Sequence, residues 1–260
     1  MLQGLLSVLG IYKLYEKWLW YQVKSETKPE HVAIILDGNR RWASEKSLNP
    51  GIGHYYGADK IDDLMNWCLD LDVKSITLYA FSTENFLRSP KEVEEIMQIA
   101  EEKLREVLKN ETIHKHKVRI KAIGRLNLLP KNLQEMIRQV EESTKNYDEH
   151  FLNVALAYGG RAEIVDATKK IAQKVKSGNL PIEDINERLF EEHLYTAHMP
   201  KQDPDLIIRT SGEERLSGFL SWQSAYSELF FLDINWPDFR RIDLLRAVRT
   251  YQRRKRRFGQ

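Results

Sequence analysis

The chain has 260 residues, of which 42% are hydrophobic and 30% are charged. That length fits one large α/β domain or two small ones, and the hydrophobic share is enough for a sizeable core. Lys and Arg number 40 against 38 Asp and Glu, so the formal net charge of +2 gives no reason to expect a polyanionic partner from bulk charge. The single cysteine, Cys68, excludes an internal disulfide and a cysteine-rich zinc site. We therefore expect a reducing, cytoplasmic compartment and a buried thiol.

Residues 1–28 form an N-terminal amphipathic extension. Large apolar residues recur there at helical spacing, and the uncharged stretch ends at Lys13. This is well short of the ~20 apolar residues that a membrane span needs. Trp18 and Trp20 lie among lysines, a composition typical of a helix at a membrane interface. Two interpretations stay open: peripheral contact of residues 1–24 with the membrane surface, or packing on the body of the protein or on a second subunit.

Strand-like apolar runs alternate with longer amphipathic stretches beyond residue 28. This alternation predicts an α/β fold, in which residues 29–260 form a single domain with a mostly parallel central sheet of about six strands covered by helices. The near-continuous apolar runs are typical of strands that are covered on both faces. The predicted strands are 31–36, 75–81, 118–124, 152–158, 205–210 and 228–234.

Polar residues cluster directly after three of the predicted strands, in segments 37–42, 82–88 and 211–217. In an open parallel sheet, ligands bind at the carboxyl ends of the strands. Arginine offers a planar fork to phosphate oxygens, glycine lets backbone amides approach, and a lone carboxylate can hold Mg²⁺. Together the three clusters predict a site for a phosphorylated ligand and a hard metal ion.

Seven segments carry a more specific pattern: DGNRRWA at 37–43, GHYYG at 53–57, LYAFSTENFLR at 78–88, YGGR at 158–161, DLIIRTSGEERLS at 205–217, AYSELFF at 225–231 and WPDF at 236–239. They resemble the cis-prenyltransferases, the family of undecaprenyl diphosphate synthases, in order and at family spacing over about residues 29–259. The resemblance implies a Mg²⁺-dependent transferase that adds isopentenyl diphosphate units to an allylic diphosphate primer. A homodimer is also implied, because Arg257-Phe258-Gly259 fits the Arg-x-Gly ending with which family members reach a partner's site.

The resemblance also implies roles for individual residues. Asp37 and Asn85 are implied to be catalytic, Asp37 as a Mg²⁺ ligand and Asn85 in proton removal, with Glu228 as the second metal contact. A neutral amide has little proton affinity, so a relay through Asn85, or the departing diphosphate as base, is physically easier than Asn85 itself as base. The implied substrate-binding residues are Gly38, Asn39, Arg40, Arg41, Trp42, His54, Ser82, Thr83, Glu84, Phe86, Arg88, Arg209, Arg215, Leu216 and Ser217.

The product of such an enzyme is a hydrocarbon, which in this family enters a hydrophobic product tunnel between helices and sheet. The predicted helices at 61–71 and 91–108 are the expected walls. Asn-Arg-Arg-Trp at 39–42 is similar to archaeal and eukaryotic members, so we expect geranylgeranyl diphosphate as the primer. The expected product is a long-chain polyprenyl diphosphate such as undecaprenyl diphosphate, precursor of a glycosyl carrier lipid. Pro50 stands where bacterial members carry a basic residue, so one diphosphate contact is lost or replaced.

The alternative function is a non-catalytic scaffold subunit of a heteromeric prenyltransferase. Scaffold members lose the metal aspartate and the arginines of the late block, whereas this chain keeps Asp37, Arg209 and Arg215. The basic segment 253–257 belongs to no nucleic-acid-binding motif, and we expect no nucleic-acid partner.

Overall fold

The computed structural model describes residues 11–254, with side chains from residue 12 onward. Predictions that concern residues 1–10 and 255–260, including Arg257-Phe258-Gly259, lie outside the described residues. The helices are α1 (Ile11–Lys24), α2 (Asn39–Glu45), α3 (Pro50–Asp70), α4 (Pro90–Val107), α5 (Glu111–Lys115), α6 (Lys131–Thr144), α7 (Gly160–Lys176), α8 (Glu187–Glu191) and α9 (Arg241–Arg253). The strands are β1 (His31–Ile35), β2 (Ser75–Ser82), β3 (Val118–Ile123), β4 (His150–Tyr158), β5 (Leu206–Arg209) and β6 (Glu228–Phe231).

The six strands form one sheet in the order β3-β4-β2-β1-β5-β6, and every neighbouring pair is parallel. The predicted α/β class and all six predicted strands are confirmed. β1 lies near the middle of the sheet and all five of its residues are buried. Its continuous apolar sequence follows from that position, because both faces of the strand are covered.

The two faces of the sheet carry separate cores. Val32 and Ile34 point to the face covered by α1, α3 and α9, where they join a large apolar cluster. On the opposite face, Tyr79, Tyr158 and Phe219 pack together. Because successive side chains along a strand point to opposite faces of the sheet, alternate residues join different cores.

α1 is the described part of the N-terminal extension, and it packs on α9. Leu19 and Val23 of α1 are fully buried, and Gln252 Nε2 donates a hydrogen bond to the Val23 carbonyl at 3.0 Å. Of the two interpretations left open by the sequence, packing on the body of the protein is thus confirmed for residues 11–24. No helix among the described residues is long and apolar enough to cross a membrane.

α4 starts where the sequence predicts, because Ser89 caps it and Pro90 occupies its first turn. α3 starts at Pro50, much earlier than the predicted residue 61. Asn49 caps that start by accepting a hydrogen bond from the Gly51 amide at 2.9 Å. The glycines of its first turns weaken the helical pattern, yet they permit close packing of α2: a Cβ on Gly57 would lie 2.3 Å from Asn39 Oδ1.

Candidate active site

The loops that follow β1, β2 and β5 meet in one cleft, because these strands are neighbours in the order β2-β1-β5. The cleft encloses about 620 Å³. Asp37, Asn85 and Arg209, one from each loop or strand end, all line it, which confirms the expected convergence. The predicted site residues on its wall are Asp37, Gly38, Asn39, Arg40, Arg41, His54, Ser82, Glu84, Asn85, Arg88, Arg209 and Ser217.

Asp37 is held at the end of β1 by two hydrogen bonds to its carboxylate. The Gly38 amide donates to Oδ1 at 2.8 Å, and Arg209 Nη2 donates to Oδ2 at 2.7 Å. Burial acts to raise the pKa of Asp37, but the hydrogen bond and charge of Arg209, together with hydrogen bonds from Ser211 and Gly38, outweigh it, so the pKa lies below its ordinary value. Gly38 has φ +101°, a left-handed conformation that favours glycine. The loop therefore presents an ionised carboxylate to the cleft.

Arg209 lies at the end of β5 and is almost completely buried. Its Nη1 donates to Ser217 Oγ at 2.9 Å and also to the Arg215 main-chain oxygen. Its buried Nε has no hydrogen-bond partner among the described residues. A buried N–H without an acceptor is costly, and a bound anion would satisfy it.

A second polar cluster in the cleft, formed by Arg40, His54 and Arg88, is centred on Glu92 in the first turn of α4. Glu92 Oε1 accepts hydrogen bonds from His54 Nε2 at 3.1 Å and from Arg88 Nη1 at 3.0 Å, and Arg40 Nη1 lies 3.8 Å from Oε2. Burial lowers the pKa of His54 below its ordinary value, although Glu92 acts against this. His54 is therefore neutral near pH 7. Two arginines against one carboxylate leave this cluster positive.

Asn85 follows β2 in a short 3₁₀ helix, Thr83–Leu87. Its Oδ1 accepts a hydrogen bond from the Ser82 amide at 2.9 Å, as part of a capping box. This bond fixes the orientation of the Asn85 amide beside Ser82, and both residues line the cleft.

Six predicted site residues do not line the cleft: Trp42, Thr83, Phe86, Arg215, Leu216 and Glu228. Trp42 is buried and donates from Nε1 to Asp238 Oδ1 at 2.8 Å, so it anchors α2 to the chain before α9. The Phe86 ring packs edge-on against Phe81, with 4.9 Å between centroids. Both rings therefore contribute to packing, Trp42 as a buried side chain and Phe86 as a partly buried one.

The remaining loop residues outside the cleft are positioned by their neighbours. Thr83 faces Gly159 closely: a Cβ added to Gly159 would lie 2.9 Å from the Thr83 hydroxyl oxygen. Leu216 packs on the apolar cluster around Phe219. The Arg215 side chain is largely exposed and pairs with Glu213, and its main-chain oxygen accepts a hydrogen bond from Arg209.

Glu228 lies at the amino-terminal ends of the parallel strands, whereas Asp37 lies beyond their carboxyl-terminal ends. It begins β6 in register with Leu206, which is in register with Val32 at the start of β1. Asp37 lies five residues further along, roughly 16 Å at the rise of a strand, and β6 lies two strand spacings, roughly 10 Å, to the side of β1. The Glu228 carboxylate is 2.5 Å from Arg254 Nη1. The predicted pair of metal carboxylates is therefore not formed within one chain, and a shared ion would require Glu228 of a second subunit.

An apolar chamber of about 150 Å³ adjoins the cleft and shares six wall residues with it: Leu36, Asn39, His54, Ala80, Phe81 and Ile96. Its other walls come from α3, α4, β3 and β4. They include Ile61, Ile99, Ala100, Leu104, Val107, Ile120, Leu152, Val154 and Leu156. The apolar faces of the two predicted helices thus do meet across a space beside the cleft.

The cleft also involves two residues to which the sequence motifs assigned no role. Tyr79 lines it from within β2, and Glu92 contacts the side chains that line it from within α4. From the sequence, a tyrosine inside a strand is expected to belong to the core, and a glutamate in a helix is expected to face solvent. For this reason neither Tyr79 nor Glu92 was assigned to the site. The spacing of Arg88 and Glu92, four residues apart, is the one signal that could have drawn attention to Glu92.

An ionised acid among guanidinium groups, with an apolar chamber behind it, suits an enzyme whose ligands combine a phosphorylated head with a hydrocarbon tail. Comparison with known proteins narrows that class. The family model described as "Putative undecaprenyl diphosphate synthase" matches residues 35–259. The chain therefore belongs to this prenyltransferase family, whose curated members related to it are named polycis-polyprenyl diphosphate synthases.

Two relatives are the tritrans,polycis-undecaprenyl-diphosphate synthases (geranylgeranyl-diphosphate specific) of Methanocaldococcus jannaschii and Methanopyrus kandleri. They are 56% and 53% identical over 250 and 253 residues, which cover 96% and 97% of this chain and 89% and 93% of theirs. A solved structure, lavandulyl diphosphate synthase from Lavandula x intermedia in complex with dimethylallyl diphosphate, superposes with a TM-score of 0.86 at 38% identity. It covers 92% of this chain and 100% of its own. These findings give the scaffold alternative no support.

Proposed function

We propose that the chain condenses isopentenyl diphosphate stepwise onto geranylgeranyl diphosphate, with cis double bonds, to give a long-chain product such as undecaprenyl diphosphate. The observation that carries this proposal is the single cleft around Asp37, Asn85 and Arg209, continuous with an apolar chamber. The names of the archaeal relatives support the choice of primer and product. The allylic diphosphate bound to the plant relative supports the class of primer.

The two diphosphates are assigned to two different groups of residues in the cleft. The primer diphosphate lies against Arg40, Arg88 and the backbone at Gly38, where the wall is positive and open enough to admit it. The diphosphate of isopentenyl diphosphate lies against Arg209 and Ser217. The unpaired Arg209 Nε supports that assignment, because a diphosphate oxygen would satisfy it.

Asp37 is the residue that would hold Mg²⁺. Mg²⁺ is usually bound by one or two carboxylates together with waters and substrate phosphates, and Asp37 offers one ionised carboxylate in a cleft that suits phosphates. No group of three acidic, histidine or cysteine side chains among residues 12–254 could enclose a metal ion, which fits an ion held largely by its substrate. When bound, Mg²⁺ would neutralise charge that develops on the departing diphosphate.

Other residues hold the reacting groups in place. Arg40 and Arg88 stabilise the departing diphosphate, and Arg209 holds the second substrate in register with it. Asn85 orients the group that accepts the proton lost from C2 of isopentenyl diphosphate. Because its Oδ1 is engaged with the Ser82 amide, Asn85 acts through position and hydrogen bonding rather than as the base.

The apolar chamber is proposed as the start of the product tunnel. A cavity of about 150 Å³ holds a group the size of benzene, so only a short part of a polyprenyl chain fits. Elongation must therefore widen the space between α3 and α4. Lys103 of α4 pairs with Asp59 of α3 at 2.5 Å and joins the two helices beside the chamber.

We also propose a homodimer and a cytoplasmic enzyme that contacts the membrane surface through α1. β6 is an edge strand whose four residues are all partly exposed, which supports pairing with a second copy. On α1, Leu14, Trp18 and Tyr21 form an exposed apolar stripe, with three exposed lysines along one side. Arg249 lies over the Trp18 ring at 4.7 Å on the other side. Apolar residues between basic ones suit an anionic lipid surface.

The central experiment mixes purified protein with labelled isopentenyl diphosphate, Mg²⁺ and allylic primers of increasing length. Chain growth that is fastest with geranylgeranyl diphosphate, with products resolved by mass, is the expected result. No chain growth with any primer would refute the catalytic function. Membrane contact is tested separately by flotation with phosphatidylglycerol and phosphatidylcholine vesicles, using Trp18→Ser and, as a control, Ile182→Ser at another exposed apolar site. Equal binding by both variants would refute the assignment of the lipid contact to α1.

A further inference from the structure

Tyr79 is a buried tyrosine whose ring is fixed on the wall of the cleft. Its side chain is 8% exposed and belongs to β2. The ring stacks on Phe219 with 4.7 Å between centroids and 7° between planes, and it meets Tyr158 edge-on at 5.7 Å. Two aromatic neighbours leave the ring no freedom to turn, so the position of its hydroxyl is determined by the fold.

The hydroxyl of Tyr79 is only weakly engaged with the protein backbone. It donates to the Tyr158 main-chain oxygen at 3.4 Å, which is long for an O–H···O bond. Burial, with the charge of Glu84 as the next cause, raises the pKa of Tyr79 to about 12, while a side-chain hydrogen bond from Ser82 and the charge of Arg209 act in the opposite direction. The phenol therefore keeps its proton at neutral pH and is a hydrogen-bond donor.

The register of the sheet places Tyr79 and Arg209 on either side of one residue. Ile35 of β1 is in register with Tyr79 of β2 and with Arg209 of β5. Alternation along the strands puts these three side chains on the same face of the sheet. Two strand spacings separate Tyr79 from Arg209, or roughly 10 Å. A molecule lying over Ile35 can therefore be reached from both sides.

We propose that the Tyr79 hydroxyl donates a hydrogen bond to the diphosphate of isopentenyl diphosphate, opposite Arg209 and Ser217. Tyr79 thereby belongs to the binding site of the second substrate. This assignment rests on the proposed function. It adds a second neutral hydroxyl beside that of Ser217, and it fixes the diphosphate from the β2 side, where Ser82 and Asn85 also lie.

Tyr79→Phe tests the assignment, because it removes one oxygen and keeps the stacking on Phe219. A hydrogen bond to a charged group predicts about a tenfold rise in KM for isopentenyl diphosphate, with KM for the primer unchanged. The matched control is Tyr195→Phe. Its ring contacts the same cluster at 6.1 Å from Tyr158, but its hydroxyl donates to Asp166 away from the cleft. The control should leave both KM values unchanged.

Calorimetric titration of isopentenyl diphosphate, with Mg²⁺ and a non-reacting thio analogue of the primer, separates this proposal from the proposed reaction. A tenfold weaker affinity in Tyr79→Phe, with an unaltered circular dichroism spectrum, supports the assignment even if chain growth is undetectable. Unchanged affinity for isopentenyl diphosphate overturns it. An equal loss of affinity for both substrates also overturns it, as does a failure of the wild-type chain to bind isopentenyl diphosphate.

Discussion

Arg209 donates a hydrogen bond from Nη2 to Asp37 Oδ2 at 2.7 Å, across the ends of two adjacent strands. The arginine side chain is 5% exposed and the aspartate side chain 38%. A nearly buried guanidinium thus depends on a carboxylate that also faces the cleft. The residue proposed to hold the metal and the residue proposed to bind the second substrate are consequently connected before either ligand arrives.

Asp37→Asn should lower incorporation of isopentenyl diphosphate by at least about a hundredfold, because it removes the ionised ligand while keeping the shape of the side chain. The variant should still fold, because the asparagine Oδ1 can accept the hydrogen bond from Arg209, but with a lower melting temperature, since the charge of the nearly buried Arg209 is then unpaired. Filter assays of labelled product and thermal unfolding by circular dichroism measure the two effects. Retention of more than a tenth of the activity would contradict the assigned role.

Arg209→Lys should raise KM for isopentenyl diphosphate by about ten- to a hundredfold, with a smaller effect on the primer. A lysine cannot reproduce the fork that serves Ser217 and Asp37 together. Arg215→Ala should have a weaker effect, because the Arg215 side chain is exposed and outside the cleft. Initial rates with each substrate varied in turn give the comparison. A larger effect at Arg215 than at Arg209 would reverse the assignment.

Ala100→Leu should shorten the products, because the added carbons fill part of a chamber of about 150 Å³. Gln98→Leu is the matched control, as it places the same side chain on the exposed face of the same helix. Mass spectra of the products from both variants measure chain length. Identical product distributions in the two variants would show that the growing chain does not pass Ala100.

The free energy of unfolding should fall as the pH is lowered from 6.5 to 4. Burial lowers the pKa of both His31 and His198 to about 4, so the unfolded chain takes up these protons before the folded chain does. Stability from this source is complete above pH 6.5 and lost toward pH 4, on the order of 3 kcal/mol for fully buried His31. Urea titrations across this range measure it. His31→Gln should flatten the profile, and an unchanged slope would exclude His31 as a source.

Cys68 should not react with a thiol reagent such as Ellman's reagent in the folded protein. Its side chain is fully buried, and burial raises the pKa of the thiol to about 12. After unfolding in guanidinium chloride, one equivalent per chain should react, since the chain has one cysteine. Rapid reaction without denaturant would mean that the region around α3 opens readily.

The strands were predictable because burial on both faces leaves long apolar runs, as in His31–Ile35. The loops after β1, β2 and β5 were predictable for a related reason, since polar groups directly after a buried strand mark its carboxyl end. What the sequence does not contain is register. Only the pairing of β5 with β6 shows that Glu228 starts its strand at the edge away from Asp37. Likewise, only the alignment of β2, β1 and β5 shows that Tyr79 and Arg209 lie on the same face of the sheet, on either side of Ile35.

Aromatic residues of the motifs were harder to assign than charged ones. Trp42 and Phe86 lie in segments that contain cleft residues, yet their rings pack on Tyr56 and Phe81. A large ring can satisfy a core as well as a ligand, and the motif alone does not distinguish these uses. A buried arginine such as Arg209 has fewer options, because its charge must be paired.

The seating of α1 on α9 has a mechanical consequence. Leu19 and Val23 are part of the main core, so α1 cannot leave its position without exposing that core to water. A lipid bilayer that binds Trp18 would then be attached directly to the domain that contains the cleft, because α1 is packed on that domain without a flexible linker. The orientation of the cleft relative to the bilayer plane would therefore be fixed by the packing of α1 on α9.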